Sequence, residues 1–212
     1  MNIQSFSTDS KRHQAIDLNL RNILLKYGWL DELENNQAYY QIKTPFIAES
    51  AYLNIIFKPA AMEDIKMASN ELKIPPVWVD FFSIQNGALL FSNSLSLFGI
   101  MPSTALYNRS DTVITPPHNI KFENYNKYDL DLNRLLIVGS YGFDGSLLCL
   151  DREDQTVWHC YKDGTRGDLV GKNAFSWIRN EISRLSFLFD KRGKCLSTEM
   201  ETVPKRGPIR VT

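Results

Sequence analysis

Residues Leu135–Asp151 read LLIVGSYGFDGSLLCLD, two apolar runs separated by glycines at equal spacing, Gly139, Gly142 and Gly145. How this stretch folds decides the architecture. A dinucleotide cradle needs G-x-G-x-x-G at the start of a helix, where free backbone N–H groups and the positive end of the dipole face a pyrophosphate. Here the middle glycine position is Tyr141, and the lysine of a Walker loop is missing because Ser146 follows Gly145. Downstream, SLLCLD and TVWHCY are short apolar runs with β-branched and aromatic residues between polar turns, which is a strand pattern. The expectation is a strand, a tight corner and a second strand. The glycines would permit positive φ, leaving Tyr141, Phe143 and Asp144 projecting from the corner or plugging the sheet end.

Turning the next hairpin at Glu153-Asp154 sets Cys149 opposite Trp158 and diagonal to Cys160, about 7 Å away and too far for an unstrained disulfide. Cys195 is the third cysteine and no C-x-x-C occurs, so free thiols are expected. In this register one face carries Leu147, Cys149, Trp158 and Cys160, and the other Leu148, Leu150, Val157 and Tyr161. Both are largely apolar, so the hairpin should be central and covered on both sides.

Further out, Ile16, Leu20, Ile23, Leu24 and Tyr27 follow the helical repeat up to Gly28, a left-handed stop. LENNQAYYQIKTPFIAESAYLNIIF lacks that period and allows one or two strands. Lys58-Pro59 should open a helix with Met62, Ile65, Ser69 and Leu72 on one stripe and Glu63 and Asp64 at its positive end. In IPPVWVDFFSIQNGALLF, Pro75-Pro76 starts a short helix, Asn86-Gly87 ends it in the left-handed conformation, and ALLF pairs with LSLFG across a reversal at Asn93-Ser94. Met101–Asn133 is polar and weakly patterned, with Tyr107, Phe122, Tyr125 and Tyr128 scattered through it. A last helix carries Phe175, Ile178, Ile182, Leu185 and Phe189, with Gly193 as its stop. Residues 1–57 then belong to the same domain as a core at 58–190, and 191–212 form a loose tail or an edge addition.

The chain has 212 residues, 24 basic and 24 acidic. That size suits one domain, and balanced charge supplies no field toward nucleic acid or membrane. No run approaches the roughly 18 apolar residues of a membrane span, and the N-terminus lacks a signal-type apolar segment. A cytosolic protein without nucleic-acid or membrane partners is expected.

The residues that carry chemistry do not assemble in the sequence. His13, His118 and His159 have no ligand-pair spacing, and DREDQT places Thr156 where a calcium loop needs glycine. Asp129 and Asp131 could share one side of a strand but sit in a polar segment, and Ser140 lacks the G-x-S-x-G elbow. Cys149 is predicted to be packed among leucines and tryptophan, away from the positive surroundings a nucleophile needs. The basic clusters DKRGKC and PKRGPIR read as solvated. No cofactor, metal or catalytic constellation is expected.

The helix IPPVWVDFFSIQNGALLF with its terminal Asn86-Gly87, the paired LSLFG, and the block LLIVGSYGFDGSLLCLDREDQTVWHCYKDG together resemble the SUKH superfamily, which groups yeast glucan-synthesis regulators with bacterial immunity proteins. Gly139, Ser140, Gly142, Gly145 and Asp151 stand where that family has I-G-S-x-G-x-G and a strand ending in Asp, although Tyr141 and Phe143-Asp144 make this loop bulkier. The resemblance spans residues 58–189 and implies an α+β fold, a curved and mainly antiparallel sheet flanked by helices. It also implies a non-enzymatic protein that binds a toxin domain, often a nuclease or deaminase, or else a regulatory or scaffold module. Rigid aromatics flanked by carboxylates would suit a basic toxin surface. Tyr141, Phe143 and Asp144, with Asp151, Tyr125 and Tyr128, are the candidate contact residues, and Asn86, Gly87, Gly139, Gly142 and Gly145 the structural ones. A hydrolase using Asp129, Asp131 or His159 is the remaining alternative.

Overall fold

The computed structural model describes residues 19–43, 52–101, 116–125, 128–161, 163 and 166–204. Strands β1 (Asp31–Glu34), β2 (Ala38–Lys43), β3 (Tyr52–Phe57), β4 (Ala88–Leu90), β5 (Leu95–Leu97), β6 (Leu135–Tyr141), β7 (Leu147–Asp151), β8 (Val157–Cys160) and β9 (Arg166–Gly171) form one sheet in sequence order, each antiparallel to the next. Helices α1 (Leu20–Lys26), α2 (Met62–Leu72), α3 (Pro76–Ile84), α4 (Ile120–Tyr125) and α5 (Ala174–Ser186) pack against it. This is the expected α+β class. The sheet is open, and it curves where bulges break the register in β1, β6 and β9.

Helix starts follow local chemistry. Asn19 and Asn173 accept first-turn N–H groups of α1 and α5, and Pro76 occupies the first turn of α3, where its missing N–H costs nothing. For α2 the expectation shifts: the helix begins at Met62, three residues past Pro59, and its buried stripe is Asp64, Ile65, Ala68 and Leu72, with Met62 exposed. Gly28 and Gly87 are left-handed as expected, but Gly87 does not end α3, whose cap is Gln85 in extended conformation. Gly193 is also left-handed, but it closes a separate turn beyond α5, whose cap is Phe187.

Two expectations fall short. LENN–IIF holds three strands, β1 to β3, and β9 is an additional strand that its sequence hides, because RGDLVG combines two glycines with an aspartate. The tail is packed as far as Pro204, with Thr202 and Val203 buried and Arg184 donating to the carbonyls of Glu201 and Thr202. Ile16 and residues 205–212 lie outside the described residues.

The hairpin register holds. Cys149 pairs with Trp158, every β7 residue is buried, and Cys149, Cys160 and Cys195 are free thiols. The two reversals flanking β7 are one turn built twice. In Tyr141–Ser146, Gly145 N donates to Tyr141 O and Tyr141 N to Ser146 O; in Asp151–Thr156, Gln155 N donates to Asp151 O and Asp151 N to Thr156 O. Asp144 Oδ1 accepts the Ser146 amide and hydroxyl at 2.9 and 2.5 Å, and Asp154 Oδ1 accepts those of Thr156 at 2.9 and 2.6 Å. The fifth residue of each six-residue turn is left-handed, Gly145 at φ 66° and Gln155 at φ 59°. Gln155 bears a strain that Gly145 does not. Replacing it by glycine is expected to raise unfolding stability by about 0.5–1 kcal/mol in urea titrations, whereas Gly145→Gln lowers it by about as much.

Gly139 and Gly142 serve a purpose other than the positive φ expected of them. Neither is left-handed; a Cβ on Gly139 would lie 2.4 Å from Ser96 O, and one on Gly142 2.2 Å from Asn93 O. They let the β4–β5 hairpin approach β6 closely.

Candidate protein-binding surface

The six contact candidates separate into buried and exposed groups. Tyr141 is fully buried: its hydroxyl donates to Glu181 Oε1 at 2.7 Å and its ring meets His159 edge-on at 5.4 Å. Burial, and then the neighbouring Glu181, push that hydroxyl well above its ordinary pKa. Asp151 is also fully buried, accepting Arg134 Nε at 2.7 Å and the amide of Glu153 at 3.0 Å. Neither reaches solvent, so both are corrected from contact residues to structural ones. Tyr141 is turned inward, as the last residue of β6, toward Glu181 of α5, and Asp151 is held inward by Arg134 and the amides of its own turn. Tyr128 is half-buried and donates to Glu123 Oε2 at 2.8 Å. Phe143, Asp144 and Tyr125 are exposed.

Burial alone would raise the Asp151 pKa, yet Arg134 and the amides of Glu153 and Asp154 outweigh it and hold the carboxyl below its ordinary 3.8. A depressed folded-state pKa stabilises the protein above the unfolded value and loses that stabilisation as pH falls through the folded one. Asp151→Asn is expected to flatten the loss of stability below about pH 4, read as the difference between wild-type and variant melting temperatures across an acid series.

The corner behind Phe143 contains a serine–histidine pair, Ser146 Oγ to His159 Nε2 at 2.6 Å. Its proton order is wrong for a nucleophile. The serine hydroxyl donates its one hydrogen to Asp144, so His159 must donate through Nε2 and cannot take the serine proton. Both residues are about 2 % exposed. The pair locks a turn.

The exposed candidates lie at opposite ends of β6. Asn124 of α4 clamps that strand near its start, its Oδ1 accepting Ile137 N at 2.9 Å and its Nδ2 donating to Ile137 O at 2.8 Å. From Ile137 to Gly142 the strand runs about 16 Å toward Phe143, away from α4. At the α4 end several chemistries converge. Phe122 and Tyr125, 64 % and 58 % exposed, stand three residues apart and so share a face, and α2 packs alongside with Met67 52 % exposed. Glu71 of α2 joins the helices, taking an ion pair from Lys121 and a hydrogen bond from the Tyr125 hydroxyl. Lys121, then Tyr125, holds Glu71 below the usual carboxylate range, and Glu71 in turn raises the Tyr125 hydroxyl.

The β7–β8 turn closes this end. Arg152 Nη1 donates to the carbonyls of Leu72 and Lys73 at 2.6 and 2.9 Å, placing a cation on the negative end of α2. A pocket of about 220 Å³ lined by Glu71, Leu72, Lys73, Asn124, Leu132 and Arg152 opens beside the aromatics. Asp129 and Asp131 are exposed in the loop expected for them, beside the pocket-lining Leu132.

Sequence reading points to Tyr125 and Tyr128 here and misses Phe122, Met67, Glu71 and Asn124. A six-residue helix inside a polar segment gives too short a period to detect. The i, i+3 spacing of Phe122 and Tyr125 is its only visible trace. Comparison of the chain with known proteins finds no matching family model, no matching curated protein and no matching solved structure.

Proposed function

We propose that the chain is a non-enzymatic binding protein of the immunity class, neutralising a nuclease- or deaminase-type toxin by direct binding through the α2–α4 surface. The observation that carries this reading is a pair of exposed rings, Phe122 and Tyr125, on a helix held rigid by Asn124 and bordered by carboxylates. Clamped aromatics bury large area at small entropic cost, and carboxylates such as Glu71, Asp129 and Asp131 match the basic active-site surface of an enzyme that handles nucleic acid. The resemblance of residues 58–189 to the SUKH superfamily supports the same class.

Co-expression with a toxin encoded beside the gene tests it. Growth should be restored, a one-to-one complex should purify, and Phe122→Ala with Tyr125→Ala should abolish protection, each costing about 1–3 kcal/mol of binding. Absence of any bound neighbour, or protection indifferent to both substitutions, overturns the reading. Capture of a cell-wall or signalling enzyme through the same surface, without protection, assigns the chain to the regulatory or scaffold class instead.

A further inference from the structure

A second exposed surface combines apolar tips with a cluster of cations. Leu30, Phe187 and Leu196 are 62 %, 76 % and 65 % exposed. Short contacts gather them. Trp29 Nε1 donates to Ser186 Oγ at 3.3 Å, which brings the neighbouring Leu30 and Phe187 into one region, and Leu196 N donates to Leu188 O at 2.7 Å. Beneath them, Phe91 contacts both Trp29 and Phe189, with ring centroids 6.1 and 5.3 Å apart.

Between Phe189 and Leu196 the chain makes a tight turn. Asp190 Oδ1 accepts the amides of Arg192 and Lys194 at 2.8 and 2.9 Å, and Asp190 N donates to Lys194 O. That turn holds Lys191, Arg192 and Lys194 exposed, and Lys26 is exposed at the end of α1, three residues before Trp29. Among the described residues none of these four cations has a carboxylate within ion-pair distance. Of the acids on the adjoining connections, Asp190 is engaged in the turn, where it faces Arg192 and Lys194, Asp31 with Arg21 at 2.5 Å, and Glu32 with the Lys43 amide at 2.8 Å.

We propose that this surface docks on an anionic lipid bilayer, with Lys26, Lys191, Arg192 and Lys194 at the headgroups and Phe187, Leu30 and Leu196 entering the interface. The geometry favours a bilayer over an acidic protein. The three apolar side chains stand on separate connections, after α1, after α5 and after the 190–194 turn, and each projects more than half its surface. They are tips that sink into a soft interface, whereas a protein partner would need a contiguous wall. Lysine ammonium groups on flexible stems adapt to phosphates whose positions are not fixed. Zero net charge over the whole chain conceals this local excess, which revises the expectation that DKRGKC is merely solvated and that no membrane is a partner.

Sedimentation of the full chain with vesicles tests the proposal. Binding is expected to vesicles of equal parts phosphatidylglycerol and phosphatidylcholine and not to phosphatidylcholine alone. Each cation contributes about fivefold, so the combined variant Lys191→Gln, Arg192→Gln, Lys194→Gln should bind about a hundredfold more weakly. Phe187→Ser should weaken binding about tenfold with an unchanged melting temperature, since that side chain is solvated in the free protein. Failure of the wild type to sediment with the anionic vesicles, or equal binding by the triple variant, overturns it. Retention on a polyglutamate resin without vesicle binding would assign the surface to an acidic protein and equally overturn it.

Discussion

Gly87→Ala is expected to destabilise the protein by about 3–4 kcal/mol, measured as a shift of the chemical-denaturation midpoint at unchanged slope. Two costs act at once. Gly87 has φ +87°, where an L side chain meets its own backbone, and a Cβ there would stand 2.6 Å from Leu97 O and 3.0 Å from Gly99 N. That oxygen and nitrogen belong to backbone, so a strand must move. Movement is opposed by Asn86, which is buried and bonds Ile100 in both directions at 2.7 Å, and by the pairing of Gly87 O with Phe57 N at 3.2 Å. Gly28 separates the two costs, because its φ is +85° yet nothing lies within 4 Å of its Cβ position. Gly28→Ala should therefore lose only about 1 kcal/mol. Equal losses at the two sites would show that close approach at Gly87 contributes nothing.

Glu181→Ala should cost about 3 kcal/mol, the lower part of the range for breaking a buried charge pair. Glu181 is 5 % exposed and accepts three hydrogen bonds: the Tyr141 hydroxyl at 2.7 Å, Arg184 Nε at 2.9 Å and Arg184 Nη2 at 2.6 Å. Removing the carboxylate leaves a buried hydroxyl and a guanidinium without their acceptor. Water softens the loss, since the Arg184 side chain is 33 % exposed and keeps its bonds to the carbonyls of Glu201 and Thr202. Replacing all three partners by apolar groups, Tyr141→Phe with Glu181→Leu and Arg184→Met, should recover most of the stability in a thermal-melt comparison. A triple variant as unstable as Glu181→Ala would place the cost in packing.

Much of this fold is legible in the amino-acid sequence. Continuous apolar runs identify β6, β7 and β8, and the reversal at Glu153-Asp154 sets Cys149 opposite Trp158. Pro75-Pro76 marks the start of α3, while its end at Ile84, capped by Gln85, falls short of Gly87. Other features depend on contacts distant in sequence. Nothing local reveals that Gly139 is glycine because Ser96 O approaches it, and nothing in RGDLVG suggests a strand until β8 is present to pair with it. Tyr141 illustrates the limit at the site: a tyrosine beside a glycine corner is compatible with solvent or core, and only the arrival of Glu181 from α5 decides it. Asn124 is invisible for the same reason, because its partner Ile137 belongs to another element.

Whether a partner is held at the α4 end of the sheet is read by calorimetric titration of a toxin domain encoded beside the gene against three forms of the chain. One-to-one binding by the wild type is expected, with at least tenfold weaker binding by Phe122→Ala and unchanged binding by Phe143→Ala, whose ring lies at the far end of β6. Loss of binding in Phe143→Ala with none in Phe122→Ala, or no binding by the wild type, would contradict that placement.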